Sequence, residues 1–439
     1  MREVDEPKVD EAGPKRRLGA LTAFSLVVAS MVGTGVFSTT GVLVADLPST
    51  PGILLCWLVG GLAALCGALA YAELGAAFAS NGGEYHFLAR LVHPAVGFLS
   101  AFVSLLVGFA APLAAVALSF GHYLGAMGIA IDPRVSGGAL IIGLSALNAW
   151  RVSAGASFQN VFTLGKVALI VAFVLLGLPR GDMNLLAAGK PLGEVVATSG
   201  FAAGLLQISF AYTGWNAAVY VAGEVKEPEK VLPKALLTGT LAVMILYVAL
   251  NAVFLAAGPL SAVQGKVEVG HIAATSLFGD RGGRVLSAII ALGLVSTVGA
   301  MLVTGPRIYE AVGRDVPRLA FLAHRPEGGG PVWGVVIQAV LAIAMMLVAQ
   351  FDVLLSYIGF TLSIFAALAV GCVFLVRRRG LALPYRMPGY PVTPVIFLLL
   401  MAWMIVSGVL VKPTAALAGG VTLVAGLLVY RFTRGNEVD

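Results

Sequence analysis

The stretch Gly33-Thr34-Gly35-Val36-Phe37 lies inside an apolar run from Leu18 to Ala45, and its reading decides the fold. A run of that length and polarity can cross a bilayer, yet two glycines one residue apart sit near its middle, where each weakens a helix. A helix broken at mid-membrane depth exposes backbone N–H and C=O groups that hydrocarbon cannot satisfy. The break therefore belongs inside protein or against a wet cavity, which is how many secondary transporters build a substrate site.

The surrounding composition fits that setting. The 439 residues are 59% hydrophobic and 11% charged, with a mean hydropathy of +0.94, outside the range of a soluble domain. The 54 glycines suit close packing between membrane helices, so an all-α polytopic bundle is expected rather than a barrel. The net charge of +6 sits in short loops between apolar runs, which points to topology and away from nucleic acid. Cys56, Cys66 and Cys372 all lie in apolar runs and read as packing residues. The polar leader 1–17 is too long and acidic for a cleaved signal, so the first helix is expected to remain in the mature protein.

Apolar runs fall near 19–45, 51–78, 95–125, 135–150, 156–178, 197–223, 234–257, 284–309, 332–350, 353–376, 393–411 and 415–432, giving 12 expected transmembrane helices. Most of the 28 Lys and Arg residues fall in the segments on the N-terminal side. Both termini are thus expected in the cytoplasm, with the chain in the plasma (inner) membrane. A second break, Phe210-Ala211-Tyr212-Thr213-Gly214-Trp215, interrupts the sixth run, five spans after the first. Matching breaks in two halves of opposite orientation are the mark of inverted-repeat transporters. The expectation is one transporter domain over 1–439: a cytoplasmic tail at 1–17, repeats at 18–178 and 197–376, and two added helices at 393–432.

At the first break, free amides at the start of the outer half-helix would bind a carboxylate, helped by the helix dipole. Carbonyls of Ser30, Met31 and Val32, with those of Phe210, Ala211 and Thr213, would face an ammonium. A zwitterion satisfies both. On the motif alone, a simple packing notch explains the two glycines equally well. No Asp or Glu lies mid-span in helices 1, 3, 6 or 8, which favours neutral amino acids over acidic or cationic ones; a polyamine or cationic amino acid is the alternative substrate class. The aromatics Phe37, Phe210, Tyr212 and Trp215 favour a compact or apolar side chain.

Lys166 is the only basic residue inside a span, about ten residues in and so roughly 15 Å deep at 1.5 Å per residue. An ionisable group there is functional by default, either as a proton carrier or as a cation holding the broken-helix carbonyls; a snorkelling lysine is the bland alternative. Ser296 and Thr297 in helix 8 are hydroxyls at similar depth, which more often bond their own helix. Glu73 and Glu84, flanking the turn Ser80-Asn81-Gly82-Gly83, could pair with arginines of an inner gate or be ordinary loop charge. The histidines lie mainly near loop edges and suggest no metal. No paired carboxylate, His/Cys constellation or P-loop suggests an enzyme, and no cofactor is expected.

Together these residues resemble the amino acid-polyamine-organocation superfamily, particularly bacterial permeases akin to the L-type amino acid transporter light subunits. The matching strings are GTGVF, YAELG followed by NGGEYHFLAR, QNVFTLGK, FAYTGWNAAVYVAGEVKEPEKVLPKAL, TGPRIYEAVGRD and PYRMPGYPVTP, which span nearly the whole chain. The resemblance implies a neurotransmitter-symporter-like 5+5 core and transport by alternating access, coupled to protons or to exchange. It also implies that Gly33, Thr34 and Gly35 hold the substrate carboxylate, and that carbonyls near Met31, Phe210 and Ala211 hold its amino group. Trp215 and Tyr212 would shape the side-chain pocket and outer gate. Lys166 matches the lysine that, in sodium-independent members, lies near the usual sodium position and links helices 1, 5 and 8. Two departures are visible: the usual Ser-Gly-Ile-Phe reads Thr34-Gly35-Val36-Phe37, and the usual Ala-Arg-Asp-Gly reads Gly313-Arg314-Asp315-Val316. The light subunits join a heavy chain through an outer cysteine between helices 3 and 4. Residues 125–134 contain none, so no disulfide-linked heavy chain is expected. A non-transporting amino acid sensor or partner subunit is the rival reading.

Overall fold

A computed structural model describes residues 16, 18–150, 156–325 and 331–434. Among them the chain is helical, with only isolated backbone bridges and no strands. The first expected span is broken as its glycines suggest: α1 (Ala20–Met31) stops, Val32 to Thr34 are non-helical, and α2 (Gly35–Asp46) resumes. Helix α3 (Thr50–Ala77) starts cleanly because Ser49 Oγ accepts the Gly52 amide at 3.1 Å and Pro51 stands in the first turn. A short α4 (Glu84–Leu91) leads to α5 (Pro94–Val103), which runs through a π-helical turn at Ser104–Ala110 into α6 (Ala111–Ala126). Then follow α7 (Pro133–Trp150), α8 (Ala156–Gly177), the short α9 (Leu192–Val195) and α10 (Ser199–Tyr212).

The second break follows α10 where expected, and the chain continues as a 3₁₀ segment, Ala217–Glu224. After it come α11 (Pro228–Ala256), the short α12 (Leu260–Val263), α13 (Val269–Asp315), α14 (Val332–Val348), α15 (Phe351–Arg378), α16 (Val392–Val411) and α17 (Pro413–Arg434). The range of α13 is two helices joined at Gly279, whose φ of +75° is non-helical: a short helix over 269–278 precedes the long one that carries the apolar run at 284–309. The hairpin between the ninth and tenth runs is a two-residue joint, Ala349 and Gln350.

Eight of these helical stretches are long and apolar enough to cross a membrane, and α14 is a shorter apolar helix. Exposed leucines and valines such as Leu164, Val348, Leu410 and Leu417 coat the outside of the bundle. Apolar surface of that extent belongs against lipid. The interior is built around α10, which packs on α2, α3, α15 and α16, while α11 lies along both α1 and α3. A buried aromatic cluster joins them: Trp57 meets Tyr247 edge-on at 5.6 Å and Tyr212 at 5.9 Å.

Candidate functional site

The two breaks meet. A Cβ added at Gly35 would lie 2.5 Å from Ala211 Cα and 2.7 Å from its Cβ, so the start of α2 rests directly on the end of α10. Gly214 has φ +99°, a backbone favouring glycine, and a Cβ there would fall 2.6 Å from the Ser30 carbonyl oxygen. Each break is thus sealed against the helix end of the other.

The unsatisfied backbone groups follow from this geometry. The Gly33 amide turns back to the Met31 carbonyl at 2.8 Å, and the Tyr247 hydroxyl donates to the same oxygen at 2.6 Å. The Phe210 carbonyl likewise takes the Thr213 amide at 3.0 Å and the Thr213 hydroxyl at 2.7 Å. Met31 and Phe210, expected to offer bare carbonyls, therefore carry protein donors in this arrangement. The amides of Thr34, Gly35 and Val36, at the N-terminal end of α2, have no acceptor among the described residues. They form the positive end of that helix dipole. The Phe37 carbonyl, one turn on, is held by the Tyr123 hydroxyl at 2.9 Å.

Gly33 and Phe37 open onto a recess whose far wall is Lys166 of α8 and Ile290, Gly293 and Thr297 of α13. Lys166 Nζ donates to Thr297 Oγ1 at 2.8 Å, and that hydroxyl donates to the Gly293 carbonyl at 3.0 Å. The partner is Thr297 rather than its neighbour Ser296, because successive helical residues point about 100° apart. Among the described residues no Asp or Glu lines this recess. A carboxylate at the amides and an apolar side chain in the recess is what these groups can accommodate.

Other expected residues lie elsewhere. Tyr212, Thr213 and Trp215 line a separate apolar hollow with Val59 of α3, Gly359 of α15 and Met401 of α16. Tyr212 is buried, its hydroxyl donating to the Trp57 carbonyl at 2.9 Å, while Trp215 packs edge-on against Tyr71 at 4.7 Å. Glu73 does meet an arginine: Arg377 Nε and Nη2 reach it at 2.8 and 2.6 Å, the Met387 amide adds a third bond at 2.7 Å, and Arg377 stacks on Tyr390. Glu84 meets none among the described residues; Tyr71 and Asn216 donate to its Oε1 at 2.5 and 3.0 Å. Sequence reasoning missed Tyr123, Tyr247 and Asn216, whose parts depend on pairings across the bundle, and did not single out the amide of Val36.

Comparison with known proteins agrees with this architecture. The chain is 29% identical over 399 residues to a serine/threonine exchanger, SteT, of Bacillus subtilis, covering 88% of this chain and 90% of that one. It is 26% identical to the human b(0,+)-type amino acid transporter 1, covering 98% and 91% of the two chains, and 26% identical to the human large neutral amino acids transporter small subunit 2, covering 95% and 80%. Such relatives make it a transporter rather than an enzyme, with amino acids as its general substrate class. The profile of the amino acid permease family matches residues 18–431, and the chain belongs to that family.

Proposed function

We propose that the chain is a sodium-independent carrier of neutral amino acids that works by alternating access. The observation that carries this reading is the convergence of the two breaks, Gly35 on Ala211 and Gly214 on Ser30, beside free amides and the Lys166 recess. The substrate carboxylate would bind the Thr34, Gly35 and Val36 amides. Its ammonium would face the carbonyls of Ala211 and Thr213, which accept no bond among the described residues. The serine/threonine exchanger among the relatives supports a compact neutral side chain and exchange as the mode of coupling. In that cycle Lys166 stands in for a metal cation between helices 5 and 8 and the first break, or passes a proton.

The wider frame is proposed with it. Twelve spans form a 5+5 inverted repeat plus two added helices, in the plasma membrane with both termini cytoplasmic, as the Lys and Arg distribution supports. No disulfide-linked heavy chain is proposed, since Cys56, Cys66 and Cys372 all lie within helices and two of them are buried. Uptake of labelled serine, threonine, alanine and leucine into liposomes, with and without an internal amino acid or a proton gradient, tests the reading. Saturable, sodium-independent flux is expected. Saturable binding with no flux under either condition would make the protein a sensor or partner subunit instead.

A further inference from the structure

The turn Asn81-Gly82-Gly83-Glu84 grips the second half of helix 6. The Gly82 amide donates to the Tyr220 carbonyl at 3.0 Å, Asn81 accepts the Gly223 amide at 3.0 Å, and Asn81 Nδ2 donates to Glu224 at 3.2 Å. Glu84 completes the grip through Asn216. Glu84 is 7% exposed, and among the described residues its carboxyl is faced by neutral groups: Tyr71 of α3, Asn216 just before the 3₁₀ segment, Tyr220 within it, and Ser100 of α5.

The nearby charges among the described residues have other partners or lie exposed. On α15, which packs against α4, Arg377 is bound to Glu73 and Arg379 to the Leu91 carbonyl, and Cys372 is a buried thiol. On α3, Glu73 is committed to Arg377; on the 3₁₀ segment, Glu224 is committed to Asn81. His93 caps α5, His86 lies against Tyr85, and Arg90 is exposed. An ionised carboxylate buried without a cation is costly, whereas a protonated one is not.

We propose that Glu84 is a proton-binding site that latches the second half of helix 6, holding Asn216–Glu224 when protonated and releasing it when ionised. Burial raises its affinity for the proton above that of an ordinary glutamate, against the lowering effect of the bonds from Tyr71, Asn216 and Ser100. The linkage has a definite sign. A group whose pKa is higher in the latched than in the released state favours the latch fully below its ordinary carboxyl range and loses it as pH rises through the raised value. Each unit of pKa difference between the two states changes their ratio about tenfold. The latch also touches the substrate break, since Trp215 packs on Tyr71 and Tyr71 bonds Glu84. Its place in a cycle rests on the alternating-access reading above; the proton site itself does not.

Infrared difference spectra of the full-length protein in detergent, titrated with acid and base, test the site without any transport measurement. A buried carboxylic acid carbonyl band titrating above the usual carboxylate range is expected, absent in Glu84→Gln and retained in Glu310→Gln. Should Glu84→Gln fold poorly, Tyr71→Phe serves: removing a donor that favours the carboxylate should move the band's midpoint to higher pH. A band unchanged by Glu84→Gln, or a midpoint unmoved by Tyr71→Phe, overturns the proposal. Thiol labelling of Ala217→Cys should speed up as pH rises through that midpoint, and pH-independent labelling would remove the latch. A titrating band in a protein with no amino acid flux would leave the proton site standing and sink the transport reading alone.

Discussion

Replacing Gly35 by alanine should separate the roles of the two glycines in the first break. The added methyl carbon would stand 2.5 Å from the α-carbon of Ala211 and 2.7 Å from its β-carbon, where carbon atoms normally keep about 3.5–4.0 Å apart. Neither neighbour can rotate away, because one is backbone and the other is fixed to it. The breaks must then part by about 1 Å, and overpacking of this kind costs about 1–3 kcal/mol. That corresponds to a shift of roughly 5- to 160-fold against the packed state. Ala211→Gly in the Gly35→Ala background should rescue only in part, since it removes the clash with the Ala211 methyl group and leaves the clash with the backbone beneath it. At Gly33 the nearest atom to an added Cβ is the Met31 carbonyl oxygen at 3.9 Å, so Gly33→Ala should keep stability within about 0.5 kcal/mol. It should instead lower substrate affinity by narrowing the Lys166 recess. Thermal melts in detergent and liposome uptake read the two effects separately. The reasoning fails if Gly35→Ala melts with the wild type, or if Gly33→Ala loses as much stability as Gly35→Ala.

Arg377→Met should cost about 3–5 kcal/mol, because it strands the buried Glu73 carboxylate with only the Met387 amide. Glu73→Met with Arg377→Met should recover most of that loss in reversible denaturation, and equal losses for single and double variants would refute the pairing. Thr297→Val removes the hydroxyl that holds Lys166 and should reduce uptake, whereas Ser296→Ala should leave it near wild type; the opposite order would show that the lysine has another partner during transport. Gly214→Ala meets both its positive φ and the Ser30 carbonyl, and should lose about 1–3 kcal/mol from the backbone alone, while Gly420→Ala, with nothing within 4 Å, should melt like the wild type.

Some of this was legible because it is written locally. Paired glycines in an apolar run announce a break, and a second break five spans later announces its partner. A lone lysine in a span stands out in the sequence, and it lies across a recess from the first break. What could not be read was azimuth and long-range pairing. Thr297 rather than Ser296 meets Lys166 because of rotational phase around α13, which apolar composition does not specify in a helix buried on several sides. The partner of Glu73 lies 304 positions away, and nothing in YAELG names it. Tyr212 and Trp215, grouped by sequence with the expected substrate site, line a hollow between α3, α15 and α16, Tyr212 from the last turn of α10 and Trp215 from the break that follows. The short helix over 269–278, ahead of the bend at Gly279, was hidden by Asp280, Arg281 and Arg284, which read as loop.

The chain's first described segment is stitched to the end of helix 6. The Leu18 amide donates to the Glu224 carbonyl and the Lys226 amide to the Leu18 carbonyl, both at 2.9 Å. Because α1 begins two residues later, the first half of helix 1 and the second half of helix 6 share a backbone seam, and they would swing as one door on two hinges at Val32–Thr34 and Thr213–Asn216. Arg16 then stands beside the handle of that door. A bulky protein fused close to Arg16 would pull on both broken helices at once, so a tag for following this carrier in cells belongs at the other end of the chain.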